Sequence, residues 1–544
     1  MVARREARIP KVFPTALFHA GRSSKVDSLR LPCSGPMPIG SYIGRSCPIV
    51  PPLQEVVFPR PSISALESAV PLVDDRPLAC LADKLLRSEP VRIVFYGSSV
   101  TAGIRCNHKR QRSVNFPQQT VQLLEQIFPR SNVTIDVYGY PGASPSFLRA
   151  CHSTLMRTDA ADLYVIEMTD NLADGYSGVG QSVEALMSSV QQRAPNAALA
   201  LLAPIPQRCV RALKRMKPFQ HVPKDDASTL RILREDCFSN NTVAASFEDV
   251  GAAHSVTTIS ARHLIREELF DKPAAATATI GRLHYDAVHP NGAGNWELAV
   301  ALEHAITRYA RAGSSSQRRS ACSVRPAGAL EIANIFAPRK RTTDAMVCAV
   351  GEELRQYVLR ASGWTYIVER NAQGLPKPGY IAVEPGSIMD LCYRPELKKE
   401  SMATAGLHYQ VTVAWSLGYL MSYEHMGQMR GECLSQVQGS SCTCGSRVFN
   451  AHWRLPVSQP HVSRLKLQIH YGRKDATGLL VPRAAIGADA AAAASMCPCI
   501  IRLTLLNETS SNGKKFKLVS LMSGFYTGTI VSDAVGWAAR YDLM

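Results

Sequence analysis

A hydroxyl, an imidazole and a carboxylate held together can transfer an acyl group, and this chain carries candidates for all three in short, well-marked stretches. VRIVFYGSSVTAG (Val91–Gly103) runs from β-branched and aromatic residues into two adjacent hydroxyls, Ser98 and Ser99, between Gly97 and Gly103. Far downstream, LHYDAVHPN (Leu283–Asn291) sets Asp286 three residues before His289. On one tight turn that spacing lets a carboxylate hold one imidazole nitrogen while the other faces a nucleophile. VYGYPGAS (Val137–Ser144) is a glycine-rich turn after a strand-like run, and EMTDNL (Glu167–Leu172) places Asn171 after another. Taken singly, each of these is also an ordinary polar turn.

Other chemistries fit the first turn less well. A P-loop needs four residues between its glycines and then Lys-Ser/Thr. Here five residues separate Gly97 from Gly103, and Ile104-Arg105 follows. The nucleophile elbow GxSxG fails because Thr101 stands at its second glycine. A flavin- or phosphate-binding loop stays open, since hydroxyls and amides at a helix start bind phosphate. Such a loop would need none of Asn171, Asp286 or His289.

The elements that must position these residues follow an alternating pattern from about residue 76 to 312. Strand-like runs at Arg92–Tyr96, Val133–Tyr138, Leu163–Glu167 and Ala198–Ala203 alternate with helix-like runs at Pro117–Ile127, Ser182–Gln192 and Asn295–Ala310. That pattern predicts a parallel sheet covered by helices on both faces. Loops after the carboxyl ends of such strands share one crevice. Ser99, Gly142 and Asn171 would open onto it, and so would the Asp286–His289 loop if it returns before the last helix. The stretch Arg208–Ile280 is long for a connection and reads as a lid, a substrate rim or a solvated insertion.

The four stretches, in this order, resemble the SGNH hydrolases, also called the GDSL esterase/lipase superfamily. The match is Gly97-Ser-Ser-Val-Thr101, Gly142, Asn171 and Asp286-Ala-Val-His289-Pro, over roughly residues 85–312. The resemblance implies a flavodoxin-like three-layer α/β/α domain and ester hydrolysis without metal or cofactor. It implies Ser99 as nucleophile, His289 as general base and then acid, and Asp286 as its orienting partner. It implies an oxyanion hole from the amides of Ser99 and Gly142 and the Asn171 side chain. The chain departs from the family pattern in three places. Ser98 stands where Asp is usual, which makes it a rival nucleophile. Thr169-Asp170 replaces a glycine-rich lead into Asn171, and Leu172 replaces a following Asp.

Around this domain the composition changes. Residues 1–75 are rich in Pro, Ser and Arg and predict irregular structure. Residues 313–345 form a basic, Ser/Pro-containing linker. From 346 to 544, period-two runs such as Ser463–Tyr471, Tyr409–Tyr419, Cys499–Leu506 and Lys515–Met522 predict a β-sandwich-like domain. Its SYEHMG (Ser422–Gly427), Cys433 and Cys442-Thr-Cys444 resemble a region that follows the hydrolase domain in some plant and algal proteins of this group. Trp364, Trp415, Trp453 and Trp537 could stack on sugars or fill a core.

The chain has 544 residues, a formal net charge of +17 and 46% hydrophobic residues. The basic residues are scattered, which predicts a solvated surface and no nucleic-acid partner. No run approaches the roughly 18 apolar residues of a membrane span. Six of the fifteen cysteines (Cys392, Cys433, Cys442, Cys444, Cys497, Cys499) lie in the last third. Their C-x-C pairs suit disulfides better than zinc. With sequons at Asn132, Asn240 and Asn507 they favour a secretory setting, although the first thirty residues lack a signal-peptide core. The expectation is therefore a serine esterase acting on carboxylic esters, acylated glycans among them. The alternative is a non-catalytic carbohydrate-binding protein on the same fold. Oligomeric state is left open.

Overall fold

The computed structural model describes residues 58–71, 73, 75–103, 115–140, 143, 148, 151, 161–167, 179–214, 225–240, 242–286, 288–311, 347–370, 376–393, 409–434, 442–452, 459–474, 480–482, 497 and 499–525. The linker at 313–345 lies outside them. Within the stretch expected to be irregular, Ile63–Ala69 is a helix; Ser62 caps it by accepting the Ala65 N–H, and Leu66 and Ala69 are buried.

Five strands, β1 (Val91–Gly97), β2 (Val133–Gly139), β3 (Leu163–Glu167), β4 (Ala198–Ala203) and β5 (Thr257–Ser260), pair in parallel in the order β2-β1-β3-β4-β5. This is the flavodoxin-like doubly wound order, whose winding reverses between β1 and β3; ligands bind outside the strand ends at that point. The apolar runs follow from burial on both faces. Along β1, Ile93 and Phe95 point into one helical layer and Val94 and Tyr96 into the other, all fully buried. Helices Arg76–Leu86, Phe116–Ile127 and Gly292–Arg311 form the first layer. Val179–Arg193 and Val243–Ala253 contribute to the second.

The Arg208–Ile280 stretch is not only an insertion, because it supplies the fifth strand. Its sequence, TTIS, hid the strand behind hydroxyls that are fully buried in the fold. Those hydroxyls have partners: Asp75 Oδ2 accepts from both the Thr257 N–H (3.0 Å) and its Oγ1 (2.7 Å). A Cys209–Cys237 disulfide ties helix Gln207–Leu213 to the end of the next helical segment.

The carboxy-terminal part is antiparallel and β-rich. Its strands are β6 (Val347–Val350), β7 (Val358–Ser362), β8 (Trp364–Arg370), β9 (Pro376–Ala382), β10 (Ile388–Tyr393), β11 (Tyr409–Met421), β12 (Gln428–Cys433), β13 (Cys442–Thr443), β14 (Arg447–Asn450), β15 (Gln459–Lys474), β16 (Leu480–Pro482), β17 (Cys499–Leu505) and β18 (Phe516–Phe525). One sheet runs β14-β12-β17-β10-β7; the other runs β13-β15-β11-β18-β9-β8, with β16 on β15 and β6 on β18. Met389, Leu391, Ile501 and Leu503 of the first meet Trp415, Leu417, Leu467 and Leu521 of the second in one core, which makes a sandwich. Trp364 and Trp415 are core residues; Trp453 and Trp537 lie outside the described residues. All six late cysteines pair, as Cys392–Cys497, Cys433–Cys444 and Cys442–Cys499.

The sandwich is seated on the α/β domain through β6 and the end of β18. Alternate residues face opposite ways. Ala349 and Leu521 join the sandwich core, whereas Cys348, Val350 and Met522 pack into the second α/β layer. A Cys151–Cys348 disulfide, spanning 197 residues of sequence, fixes that seam.

Candidate active site

The site is built at the β1/β3 switch point. After β1 the chain turns sharply through Ser98–Gly103, closed by Ala102 N–H to Ser98 O and Gly103 N–H to Val100 O (both 3.0 Å). Gly97 is required where strand becomes turn: a Cβ there would lie 2.3 Å from Thr101 Oγ1 and 2.4 Å from the Glu167 carbonyl oxygen. Gly139, at the end of β2, is pressed against the same turn, where a Cβ would come 2.3 Å from the Ala102 nitrogen. Both serines are nearly buried, Ser99 at 4% exposure.

The imidazole arrives from the loop between helices Ala276–Leu283 and Gly292–Arg311, which does return directly before the last helix. Three sets of bonds hold that loop. Tyr285 N–H donates to His289 O (2.9 Å) and Asn291 N–H to Leu283 O (2.8 Å). Asn291 Oδ1 accepts the Ala293 and Gly294 N–H groups and so caps the helix. From beneath, Lys214 Nζ donates to the carbonyls of His284 (3.0 Å) and Tyr285 (3.2 Å).

Within the loop, Asp286 Oδ1 accepts the backbone N–H of Val288 and His289 (2.8 Å each), a local turn bond typical of Asp. Its carboxylate also meets His289 Nδ1 at 2.8 Å through Oδ2 and 3.0 Å through Oδ1. The other ring nitrogen, Nε2, lies 3.0 Å from Ser99 Oγ. The three side chains thus form a continuous hydrogen-bonded chain across 190 residues of sequence. With a proton on Nδ1, Nε2 is the acceptor for the Ser99 hydroxyl. Burial alone would raise the Asp286 pKa. The hydrogen bond and charge of His289 and the two backbone N–H groups outweigh it and hold the carboxyl well below the usual carboxylate range. His284, fully buried behind the loop, is pushed down to about 3 by burial and then by the Lys214 charge.

Ser98 and Ser99 are separated by their partners. Ser98 Oγ donates to Glu167 (3.0 Å to Oε1, 3.1 Å to Oε2), so its hydroxyl proton is engaged by that carboxylate. Among the described residues, the N–H groups of Ser99 and Val100 have no acceptor, while those of Ser98 and Thr101 go to Glu167 (3.1 Å each). The structure therefore brings Ser99, Asp286 and His289 together. Gly142 and Asn171 lie outside the described residues. The sequence reading missed Glu167 and gave Lys214 no role beyond its place in the Arg208–Ile280 stretch, read as a lid, a substrate rim or a solvated insertion. The available signal for Glu167 was an acid closing an otherwise apolar strand, LYVIE.

No family model and no curated protein matches the chain. A solved two-domain esterase active on acetylated mannans superposes with a TM-score of 0.53 at 13% identity, covering 85% of this chain and 99% of its own. The chain shares that two-domain fold. The same esterase co-crystallised with mannopentaose gives 0.51 at the same identity and coverage. An acetyl xylan esterase from Geobacillus stearothermophilus matches 40% of this chain and 94% of its own, with a TM-score of 0.26 at 16% identity.

Proposed function

We propose that this chain is an SGNH-type carboxylic-ester hydrolase that removes acyl groups, acetyl first among them, from carbohydrate. The observation that carries this reading is the Asp286–His289–Ser99 hydrogen-bonded chain at the sheet's switch point. A phosphate- or flavin-binding turn has no use for an imidazole oriented by a carboxylate on its hydroxyl. The shared fold of an esterase active on acetylated mannans supports the choice of substrate class.

In this mechanism His289 Nε2 takes the Ser99 proton as Oγ attacks the acyl carbon. The carbonyl π bond becomes the oxyanion of a tetrahedral intermediate. That intermediate collapses as His289 returns the proton to the departing sugar oxygen, leaving acyl-Ser99. Water, deprotonated by the same nitrogen, attacks the acyl carbon, and the second tetrahedral intermediate breaks its bond to Ser99 Oγ as His289 returns the proton to that oxygen, releasing the acid and the free hydroxyl. Asp286 keeps the imidazole in the tautomer that both steps need and stabilises the transient imidazolium. The Ser99 N–H, which has no acceptor among the described residues, suits the oxyanion. Gly142 and Asn171 complete the hole on the strength of the family resemblance, each donor being worth roughly 2.7–4 kcal/mol.

The test is acetate release from acetylated manno- and xylo-oligosaccharides and from p-nitrophenyl acetate. The expected result is turnover by the wild type that Ser99→Ala abolishes. Turnover of p-nitrophenyl acetate but of no acetylated sugar would confine the reading to a general esterase, and activity that survives Ser99→Ala would remove the mechanism.

A further inference from the structure

We propose that Glu167 is a positioning residue of the reaction, a buried side chain that shapes the nucleophile turn from the neighbouring strand; this rests on the esterase reading above. Glu167 is the last residue of β3, in register with Gly97 at the end of β1. It is wholly buried. Oε2 accepts from the Ser98 N–H and Thr101 N–H (3.1 Å each), from Thr101 Oγ1 (2.8 Å) and from Ser98 Oγ (3.1 Å), and Oε1 accepts from Ser98 Oγ (3.0 Å). Four different donor groups therefore converge on one side chain, and among the described residues no cation pairs with it.

A buried carboxylate survives without a cation only when hydrogen bonds replace its hydration. Here, among the described residues, every group that replaces water comes from the turn carrying Ser99. The same bonds decide which amides of the turn are used up. Those of Ser98 and Thr101 are drawn inward, while among the described residues the Ser99 N–H, beside its own hydroxyl, has no acceptor. They also occupy the Ser98 hydroxyl, leaving Ser99 as the hydroxyl that His289 can reach. Glu167 touches no reacting atom, so its effect must pass through Ser99, and misplacement of a nucleophile by about 1 Å costs roughly 10²-fold in rate.

Two variants separate shape from charge. Glu167→Gln keeps an oxygen where Oε2 accepts most of the donors and can place its NH2 against Ser98 Oγ. Glu167→Met keeps the length but leaves four buried donors unpaired. Glu167→Met is expected to lower kcat by about 10²-fold with KM within about threefold, and to slow covalent labelling of Ser99 by a fluorophosphonate in parallel. Glu167→Gln is expected to recover to within about tenfold of wild type, with near-UV circular dichroism of both unchanged. If Glu167→Met does not fold, Thr101→Val removes one donor at constant shape and should slow turnover and labelling together by about three- to tenfold.

The proposal is overturned if Glu167→Met, or Thr101→Val in its place, labels Ser99 at the wild-type rate. It is also overturned if the loss lies in KM or only matches a loss of folded protein. In those cases an active wild type leaves the esterase reading intact. A wild type that neither hydrolyses esters nor labels ends that reading and this assignment with it.

Discussion

At the scale of single residues, the two neighbouring serines differ only in what faces them. Ser99 Oγ meets an imidazole nitrogen, whereas Ser98 Oγ meets a carboxylate that cannot act on an ester. Ser98→Ala is therefore expected to keep fluorophosphonate labelling on Ser99, with turnover reduced but present. Asp286→Asn preserves size but lets the wrong imidazole nitrogen carry the proton, so kcat should fall by roughly 10²–10⁴-fold with little change in KM. A fall of less than about threefold in kcat would show that Asp286 does not set the tautomer. Ser99, Asp286 and His289 could be picked out because their short stretches, each an ordinary polar turn alone, fall in one order along the chain after strand-like runs. Glu167 could not, because its meaning lies in four donors on another strand's turn, and sequence separation hides such contacts.

At the scale of elements, the histidine loop depends on a buried neutral base. His284 backs the loop with its pKa lowered to about 3 by burial and then Lys214, and in the sandwich His461 is lowered to about 4 by burial and then Arg447. Both folded values lie below the ordinary 6.5, so the unfolded chain takes up protons first on acidification. Stability supplied by the neutral rings is full above about pH 6.5 and is lost as pH falls toward 3–4, at about 1.4 kcal/mol per pH unit for each ring. Urea midpoints measured between pH 7 and 4.5 should fall steeply for wild type and less steeply for His284→Gln/His461→Gln. Equal slopes would mean that these rings are not what acid attacks. β1 to β4 were readable as apolar runs. β5 was not, because a four-residue strand of Thr, Thr, Ile and Ser reads as a polar turn until Asp75 is seen to satisfy it.

At the scale of the whole molecule, two folding units are joined by apolar contact and a covalent link. Period-two alternation made the sandwich legible, and the crowding of cysteines made disulfides the better expectation. Pairing partners cannot be read from spacing. The pair that matters most, Cys151–Cys348, joins a segment after β2 to the first strand of the sandwich. Cross-links that close long loops stabilise by about 2–4 kcal/mol. Cys151→Ser/Cys348→Ser should lower the denaturant midpoint accordingly, and adding Met522→Asp should split unfolding into two transitions. A triple variant that unfolds in one unshifted transition would show that the seam is not a mechanical link.

The central claim is that Ser99 is the nucleophile and His289 its base. Peptide mapping by mass spectrometry after fluorophosphonate treatment tests it most directly, on wild type and on His289→Gln. A single adduct on Ser99 in the wild type, slowed by orders of magnitude in His289→Gln, is the predicted result. An adduct on Ser98, or labelling of Ser99 at an equal rate in both proteins, would contradict the account.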